Sequence, residues 1–499
     1  MIRFLLNDRL VVVEDIAADT TVLDYLRGNT ETRTTSHEQR TGTKEGCCSG
    51  DCGACTVVVG EPEGDQLKYK TMNACIALMP SLHGKQLLTV EDLAGSHQAG
   101  QHNKKPELHP VQQALVDHHG SQCGFCTPGI VMSLFALYQE IAADHERTES
   151  KPDVLEALGG NLCRCTGYRP LIDAANSLDN AQPDDEFFRN REQTLSELQT
   201  IEQQGSVNTN GAFIPVNEDE LASYLVDHPD ARILAGGTDL GLDVTQQLKH
   251  LDKLVSVKNI PSLQTIYEDG HHDGNSELVI GSAVTFRSIK SIFTRYYPEF
   301  AHMLDRLGSQ QIRNQGTLGG NIGNASPIGD TPPVLLALDA SLDLRRGDTV
   351  RNIPLDRFFL DYKKTELKSG EYIARIRIPK DRHQLKVYKL SKRYGDDIST
   401  VLAAINLQTN DDGQITKARV ALGGMAAIPR RARLCEQVLT GSQLNDETLR
   451  QAKAAIRQEF KPMSDVRASS EYRLEAAGNL LERYFMELSG QKVRIICHA

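Results

Sequence analysis

Two groups of closely spaced cysteines constrain this chain more than any other feature. Residues 122–129 read Gln-Cys-Gly-Phe-Cys-Thr-Pro-Gly, and residues 159–170 read Gly-Gly-Asn-Leu-Cys-Arg-Cys-Thr-Gly-Tyr-Arg-Pro. Cys123, Cys126, Cys163 and Cys165 thus form a CxxC…CxC set, with each pair too tight to be an ordinary core feature. Their thiolates converge on one centre if the two loops face each other. Taken alone, the set fits an iron–sulfur centre, a structural zinc site or disulfides in a secreted protein. Thr127 ahead of Pro128 is an N-cap before a proline at the first helical position, so a helix is expected just after Cys126. Its free amides would face the sulfurs and stabilise their negative charge.

The second group decides between those readings. Residues 46–55 read Gly-Cys-Cys-Ser-Gly-Asp-Cys-Gly-Ala-Cys. Cys47, Cys52 and Cys55 give C-x4-C-x2-C, with Cys75 as a distant fourth, which is the plant-type [2Fe–2S] spacing. The glycines and alanine between the ligands let backbone amides approach the sulfides. Zinc sites rarely combine this spacing with small residues between ligands.

A length of 499 residues suggests about three domains. The net charge of -11 argues against a nucleic-acid surface. No apolar run approaches the roughly 20 residues of a membrane span. The start, Met1-Ile2-Arg3-Phe4-Leu5-Leu6-Asn7-Asp8, is too soon polar for a signal peptide. Eleven cysteines in such a chain point to the reducing cytoplasm, where thiolates remain available as ligands. Cys48, Cys435 and Cys497 are read as unligated thiols.

Residues 2–13 hold two apolar runs around Asn7-Asp8, a β-hairpin. Residues 22–26 form a short helix capped by Thr20 or Thr21 and stopped at Gly28, and 29–40 read as loop. Residues 56–59 and 84–90 are strands, completing a ferredoxin-like β-grasp domain over 1–90. Apolar spacing turns helical at 110–116, 130–138 and 154–158, giving a helical domain over 91–180 around the second cysteine set. The polar stretch 181–211 reads as linker with room for a short helix. An α/β region follows over 212–384. In it Ile233, Leu234 and Ala235 form a buried strand running into Gly236-Gly237-Thr238-Asp239-Leu240. Residues 317–330 are a second glycine-rich stretch, Thr-Leu-Gly-Gly-Asn-Ile-Gly-Asn-Ala-Ser-Pro-Ile-Gly-Asp. Neither fits GxGxxG, and each alone is equally a tight turn. Downstream of two iron–sulfur motifs they point to a flavin, which exchanges electrons singly with clusters and in pairs with organic partners. Over 385–499 strands such as 418–422 precede helices such as 472–488.

Together these motifs resemble the iron–sulfur/FAD small subunits of bacterial xanthine dehydrogenases, in the molybdenum hydroxylase family, over nearly the whole chain. The likeness rests on Thr41-Gly42-Thr43-Lys44 leading into Gly46-Cys47 and Cys52-Gly53-Ala54-Cys55, and on 122–129 and 161–168. It implies an α+β multidomain fold: a β-grasp domain, a helical [2Fe–2S] domain, an FAD-binding domain of p-cresol methylhydroxylase type and an α/β flavoprotein C-terminal domain. It implies FAD contacts at Ile233, Leu234, Ala235, Gly236, Gly237, Thr238, Asp239 and Leu240. A second loop of Thr317, Leu318, Gly319, Gly320 and Asn321 is followed by Asp330, with Leu307, Ile373 and Lys389 as further contacts.

By the same resemblance, Cys123, Cys126, Cys163 and Cys165 lie nearest a molybdenum cofactor on a large partner subunit, with Gln122 and Cys165 against its pterin. Two small and two large subunits are implied, as is NAD as electron acceptor in the oxidation of hypoxanthine and xanthine to urate. No catalytic acid–base constellation is expected in this chain. The alternatives are a related component serving aldehydes, carbon monoxide or N-heterocycles, and a non-catalytic ferredoxin-like protein with a zinc-stabilised helical domain. Three departures stand out. Cys48 replaces a small non-thiol residue, the 29–40 loop is longer than usual, and Leu307 falls where an aromatic ring covers the flavin in animal enzymes.

Overall fold

The computed structural model describes residues 1–28, 39–94, 107–142, 151–178, 185–270, 276–380, 384–491 and 493. Most of the expected 29–40 loop, and Cys497, lie outside them. The chain divides into two compact units: 1–217 with 230–260 and 309–316, and 218–229 with 261–308 and 317–499. The expected 212–384 domain therefore contributes residues to both.

In the first unit the expected hairpin forms from Ile2–Leu6 and Arg9–Val13, antiparallel, with Asn7 at positive φ (57°) in a two-residue turn. Ile2–Leu6 also runs parallel to Gln86–Leu88, and the sheet continues through Thr56–Glu63 to Gln66–Asn73. This mixed order is a β-grasp. Strand alternation builds two cores at once. Phe4, Leu6, Val57, Val59 and Leu87 face the Val22–Arg27 helix, which is capped by Thr21 and closed by Gly28 in the left-handed region. Leu5, Val58 and Leu88 face the helical region of Val111, Leu115, Ile130 and Phe135. That region holds helices Pro110–Asp117, Thr127–Ala142, Lys151–Gly159 and Arg169–Asn176.

The stretch expected as a linker is instead largely folded into this second core. It carries helices Glu186–Arg189 and Arg191–Glu202, with Phe187, Leu198 and Ile201 buried. Its apolar residues are sparse enough for composition to hide them. An anchor of buried histidine fixes the segment. His109 Nδ1 accepts the Val111 N–H (3.2 Å), so its Nε2 carries the proton and faces Asp185 Oδ2 (3.1 Å). Asp185 also accepts from Gln139 and caps the Phe188 N–H (2.7 Å). The imidazole sits edge-on between Phe135 and Tyr138, at centroid distances of 5.2 and 5.4 Å.

Residues 207–217 and 230–256 add a four-stranded sheet to this unit, ordered Val207–Thr209, Ala212–Ile214, Leu254–Ser256 and Arg232–Leu234. The strand expected at Ile233, Leu234 and Ala235 ends at Leu234. It is not fully buried, since Ile233 is 37% exposed beside buried Leu234. Leu254–Ser256 is covered by neighbours on both sides and so occupies the buried central position instead.

The second unit holds an antiparallel five-stranded sheet ordered Ile266–Gly270, Ser276–Gly281, Tyr372–Pro379, Ser341–Arg346 and Thr349–Pro354. A four-stranded antiparallel sheet follows, Lys386–Leu390, Val401–Thr409, Ile415–Gly423 and Arg430–Arg431, backed by helices Arg433–Leu439, Asp446–Glu459 and Ser470–Leu488. Among the described residues no helix is long and apolar enough to cross a membrane.

Asp185→Ala removes the acceptor for a buried imidazole N–H, a side-chain amide and a helix cap. It is expected to cost about 1–3 kcal/mol, as unmade buried hydrogen bonds do. A lowered unfolding midpoint in denaturant checks this, and an unchanged midpoint contradicts the anchoring role.

Candidate functional site

The outer cysteine set is positioned by the antiparallel pair Thr56–Glu63 and Gln66–Asn73. Thr56 pairs with Asn73, so Cys55 and Cys75 emerge from the same end of the hairpin, both buried. Cys47 and Cys52 come from the loop ahead of it, where the Ser49 and Cys52 amides donate to Cys47 Sγ at 3.4 and 3.3 Å. Contacts link all four thiols, from Cys52 to Cys47 to Cys75 to Cys55. This mutual hydrogen bonding pulls Cys47 and Cys55 below the ordinary thiol range and pushes Cys52 and Cys75 above it. A Cβ on Gly46 would lie 2.7 Å from Cys52 Sγ, so only glycine fits beside that sulfur. Cys48 stands apart. Its backbone is left-handed (φ 53°) and its thiol donates to Glu45 at 3.1 Å. Burial and the Glu45 carboxylate push that thiol up to about 12.

The inner set forms two contacting pairs, Cys126 with Cys163 and Cys123 with Cys165. The helix after Cys126 begins at Thr127, as its sequence requires. Burial pushes Cys126 up to about 12, with the Cys163 thiol adding to the shift. Cys163 moves the other way. Burial pushes its thiol up, but the Thr166 hydroxyl at 3.1 Å, the Thr166 amide and Cys126 together hold it below the ordinary value. Cys123 and Cys165 are exposed, with Phe125 and Leu162 exposed beside them in sequence.

Among the described residues no three His, Cys, Asp or Glu side chains converge at the spacing of a single metal ion. A binuclear cluster needs less, because each iron takes only two of the four thiolates. Linked thiol pairs, amide N–H groups on a sulfur and a glycine with no room for a side chain all fit such a group.

The two loops touch directly. The Leu162 N–H, one residue before Cys163, donates to the Cys52 carbonyl at 2.9 Å. A Cβ on Gly129 would lie 2.2 Å from the Gly53 carbonyl, and one on Gly53 would lie 2.1 Å from the Gly160 carbonyl. The first glycine loop abuts the outer set from the other side. A Cβ on Gly241 would lie 2.3 Å from the Ile76 carbonyl, next to Cys75. The Thr245 hydroxyl donates to the Cys48 carbonyl (2.6 Å), and the Gln246 amide donates to the Cys47 and Cys48 carbonyls (3.3 and 2.9 Å). Ile233 through Leu240 lead into this contact, with Gly237 left-handed (φ 73°) and Asp239 exposed at the start of helix Leu240–Thr245.

The second glycine loop belongs to the second unit, so the structure assigns the two expected flavin loops to different units. Thr317 accepts the Gly320 N–H (3.0 Å) and starts the turn Leu318–Gly323. Leu318, Gly319 and Ile322 are buried, whereas Gly320 and Gly323 are exposed three residues apart. That leaves one bare backbone face, suited to the close approach of a cofactor. Gly319 is needed for packing, since its Cβ would lie 2.6 Å from the Ser282 carbonyl. Asn321 accepts from the Thr331 hydroxyl (2.6 Å). Leu307 and Ile373 lie in the apolar core of this unit.

Asp330 is largely committed within the protein. Its oxygens meet Lys389 Nζ at 2.6 Å and the Ser399 hydroxyl at 2.5 Å, while Lys389 also reaches the Arg306 carbonyl at 3.0 Å. Asp330 therefore serves as the anchor of Lys389, a role its sequence context did not reveal. Ser399, Thr245 and Gln246 were also not singled out from sequence, because none lies in a cysteine or glycine motif, and Leu162 entered only as a spacer within the inner cysteine motif.

The family profile described as FAD binding domain in molybdopterin dehydrogenase matches residues 206–381. The profile for the CO dehydrogenase flavoprotein C-terminal domain matches 386–488, and that for a [2Fe-2S] binding domain matches 89–176. A xanthine dehydrogenase of Emericella nidulans is 30% identical over 98% of this chain, and an aldehyde oxidase 3 of Rattus norvegicus is 27% identical over 98%. The chain spans 39% of the length of each of these relatives. A solved chain of the reconstituted CO dehydrogenase from Oligotropha carboxidovorans is 28% identical with a TM-score of 0.51, covering 55% of this chain and 96% of its own. Linked thiols in two sets, a bare glycine turn and these domain matches in this order place the chain in the molybdenum hydroxylase family as an iron–sulfur/FAD protein.

Proposed function

We propose that this chain is the electron-transfer subunit of a xanthine dehydrogenase, with purine hydroxylation carried out on a separate molybdenum-bearing chain and NAD⁺ as the final acceptor. The observation that carries the reading is the unbroken contact from inner set to outer set to first glycine loop, through Leu162 on Cys52 and Thr245 and Gln246 on the carbonyls of Cys47 and Cys48. Cys123, Cys126, Cys163 and Cys165 would hold one [2Fe–2S] centre, and Cys47, Cys52, Cys55 and Cys75 the other. The glycine turn at 317–323 would hold FAD, with Leu307, Ile373 and Lys389 lining its site within the second unit. When bound, the [2Fe–2S] centres would carry electrons one at a time and the flavin would take them up singly and pass them on in pairs. The chain's own residues supply positioning and screening: amides and hydroxyls on the sulfurs, bare backbone at the turn, and the Asp330–Lys389 pair.

The exposed edge of the inner set, with Cys123, Cys165, Phe125 and Leu162, is the side from which a large subunit would approach. The purine assignment rests on domain order. The Emericella nidulans enzyme follows this chain almost end to end, whereas the CO dehydrogenase chain is nearly used up on 55% of it. An aldehyde substrate is the second reading, favoured by the equal span of the rat relative. Xanthine and aldehyde turnover by the complex with its co-purifying large chain separates the two.

The loaded chain is expected to contain about four irons and no stoichiometric zinc, as two binuclear centres with four thiolates each require. Metal analysis checks this, and stoichiometric zinc or half that iron sinks the two-centre reading. The isolated chain is expected to pass electrons from NADH to a dye yet show no xanthine oxidation until a large subunit is added. Gln122→Arg should impair purine turnover in the complex while sparing NADH–dye activity, and equal loss of both would contradict the placement of Gln122. Gly320→Val, on the exposed bare face, is expected to release FAD from a folded chain. Flavin retained at parental content in that variant would remove the turn from the site.

A further inference from the structure

The seam between the cysteine loops contains four polar side chains that ligation itself does not use. Thr56, Ser133, Asn161 and Gln311 are 2%, 0%, 2% and 1% exposed. The Thr56 hydroxyl (2.7 Å) and Asn161 Nδ2 (3.0 Å) both donate to the Gly53 carbonyl, and Asn161 Nδ2 also reaches Thr56 Oγ1 (3.3 Å). The Ser133 hydroxyl donates to Asn161 Oδ1 at 2.6 Å. Gln311 Nε2 lies 3.2 Å from Thr56 Oγ1, 3.3 Å from Ser133 Oγ and 3.2 Å from Asn161 Oδ1. One amide therefore touches a residue beside Cys55, the helix that follows Cys126 and the turn that precedes Cys163. Its oxygen lies against Gly160, where a Cβ would come within 2.1 Å.

Gln311 reaches this seam from a distant part of the sequence. It sits on the short helix Gln310–Gln315, where Gln310, Gln311, Arg313, Asn314 and Gln315 are all buried. Arg313 pairs with Glu156 at 2.9 Å, on the helix leading to Cys163. Asn314 donates to the Thr71 carbonyl and hydroxyl at 3.0 Å each, on the strand leading to Cys75. The stretch matched to the flavin-domain profile contains this helix, yet it folds with the cysteine loops. Burying polar side chains costs free energy unless they are bonded, and shared hydrogen bonds such as those of Gln311 Nε2 hold their members in one arrangement, although Gln311 Oε1 itself has no hydrogen-bond partner among the described residues.

We infer that Gln311 is a positioning residue for electron transfer between the two cysteine centres. Its amide sets the register of the outer loop against both inner loops, and with it the Leu162–Cys52 hydrogen bond that links them. A single electron crosses from one [2Fe–2S] centre to the other with no bond made or broken and no proton moved, so rate and coupling depend on separation and on the bonds between. The inference rests on the two-centre reading proposed above.

The test uses the full chain loaded with iron and FAD. In Gln311→Ala, iron and flavin contents are expected to stay at parental values. The magnetic splitting between the two reduced centres, read by electron paramagnetic resonance, should change, and the outer centre's midpoint potential should shift as Thr56 and Asn161, which hold the Gly53 carbonyl, lose their bonds to Gln311. Gln311→Met fills the same volume without an N–H and is expected to give the same spectroscopic change with better retained stability. Asn314→Ala removes bonds from the same helix but none from the seam. It should lower stability while leaving splitting and potential unchanged. Parental splitting and potential in both Gln311 variants would overturn the inference, as would loss of iron in both, which would make Gln311 a folding residue only. A parent chain with only half the expected iron would instead overturn the two-centre reading.

Discussion

The first unit depends on the approach of two backbones at a distance that admits no side chain. Gly53 lies between Gly129 and Gly160, and the Cys52 carbonyl takes the amide of Leu162. Each cysteine loop thus forms a wall of the other's site. A loop built to expose its amides to sulfur has few side chains with which to pack, so backbone contact and shared hydrogen bonds replace an apolar core there. The apolar cores lie on either face of the β-grasp sheet, which brings both loops to one end.

Much of this was legible from residue type and spacing. The cysteine sets, the hairpin at Asn7, the Thr21-capped helix and the helix start at Thr127 follow from local rules that act over a few residues. The seam did not follow from such rules. Gln311 and Thr56 are 255 residues apart, and a run such as Gln-Gln-Ile-Arg-Asn-Gln has the composition of an exposed turn rather than a buried helix. The segment after residue 185 was hidden for a similar reason, since three apolar side chains among many polar ones suffice when a buried His–Asp contact fixes the first turn. Asp330 shows a different limit: the resemblance implies a flavin contact there, and only the fold adds Lys389 and Ser399 as its partners within the chain.

In the second unit the strand Val401–Thr409 joins two cores. Val401, Ala403, Ile405 and Leu407 face the C-terminal helices, while Leu402 and Ala404 face the core that includes Leu307 and Ile373. A strand buried on both faces reads as a continuous apolar run, which signals burial without revealing that its two faces belong to different layers. Through Leu402 and Ala404 the segment beyond residue 385 thereby forms part of the core that holds Leu307 and Ile373.

The course of the polypeptide sets a limit on its modularity. Residues 230–260 and 309–316 pack with the cysteine loops although the intervening stretches fold elsewhere. A gene split between the cysteine-bearing half and the flavin-bearing half would sever no strand of the β-grasp sheet. It would still withdraw Gln311, Arg313 and Asn314 from their partners, leaving the buried Thr56, Ser133 and Asn161 without their bonds to Gln311. An ancestor assembled from separate polypeptides would have had to satisfy those groups another way, or to associate tightly enough that the helix arrived in trans.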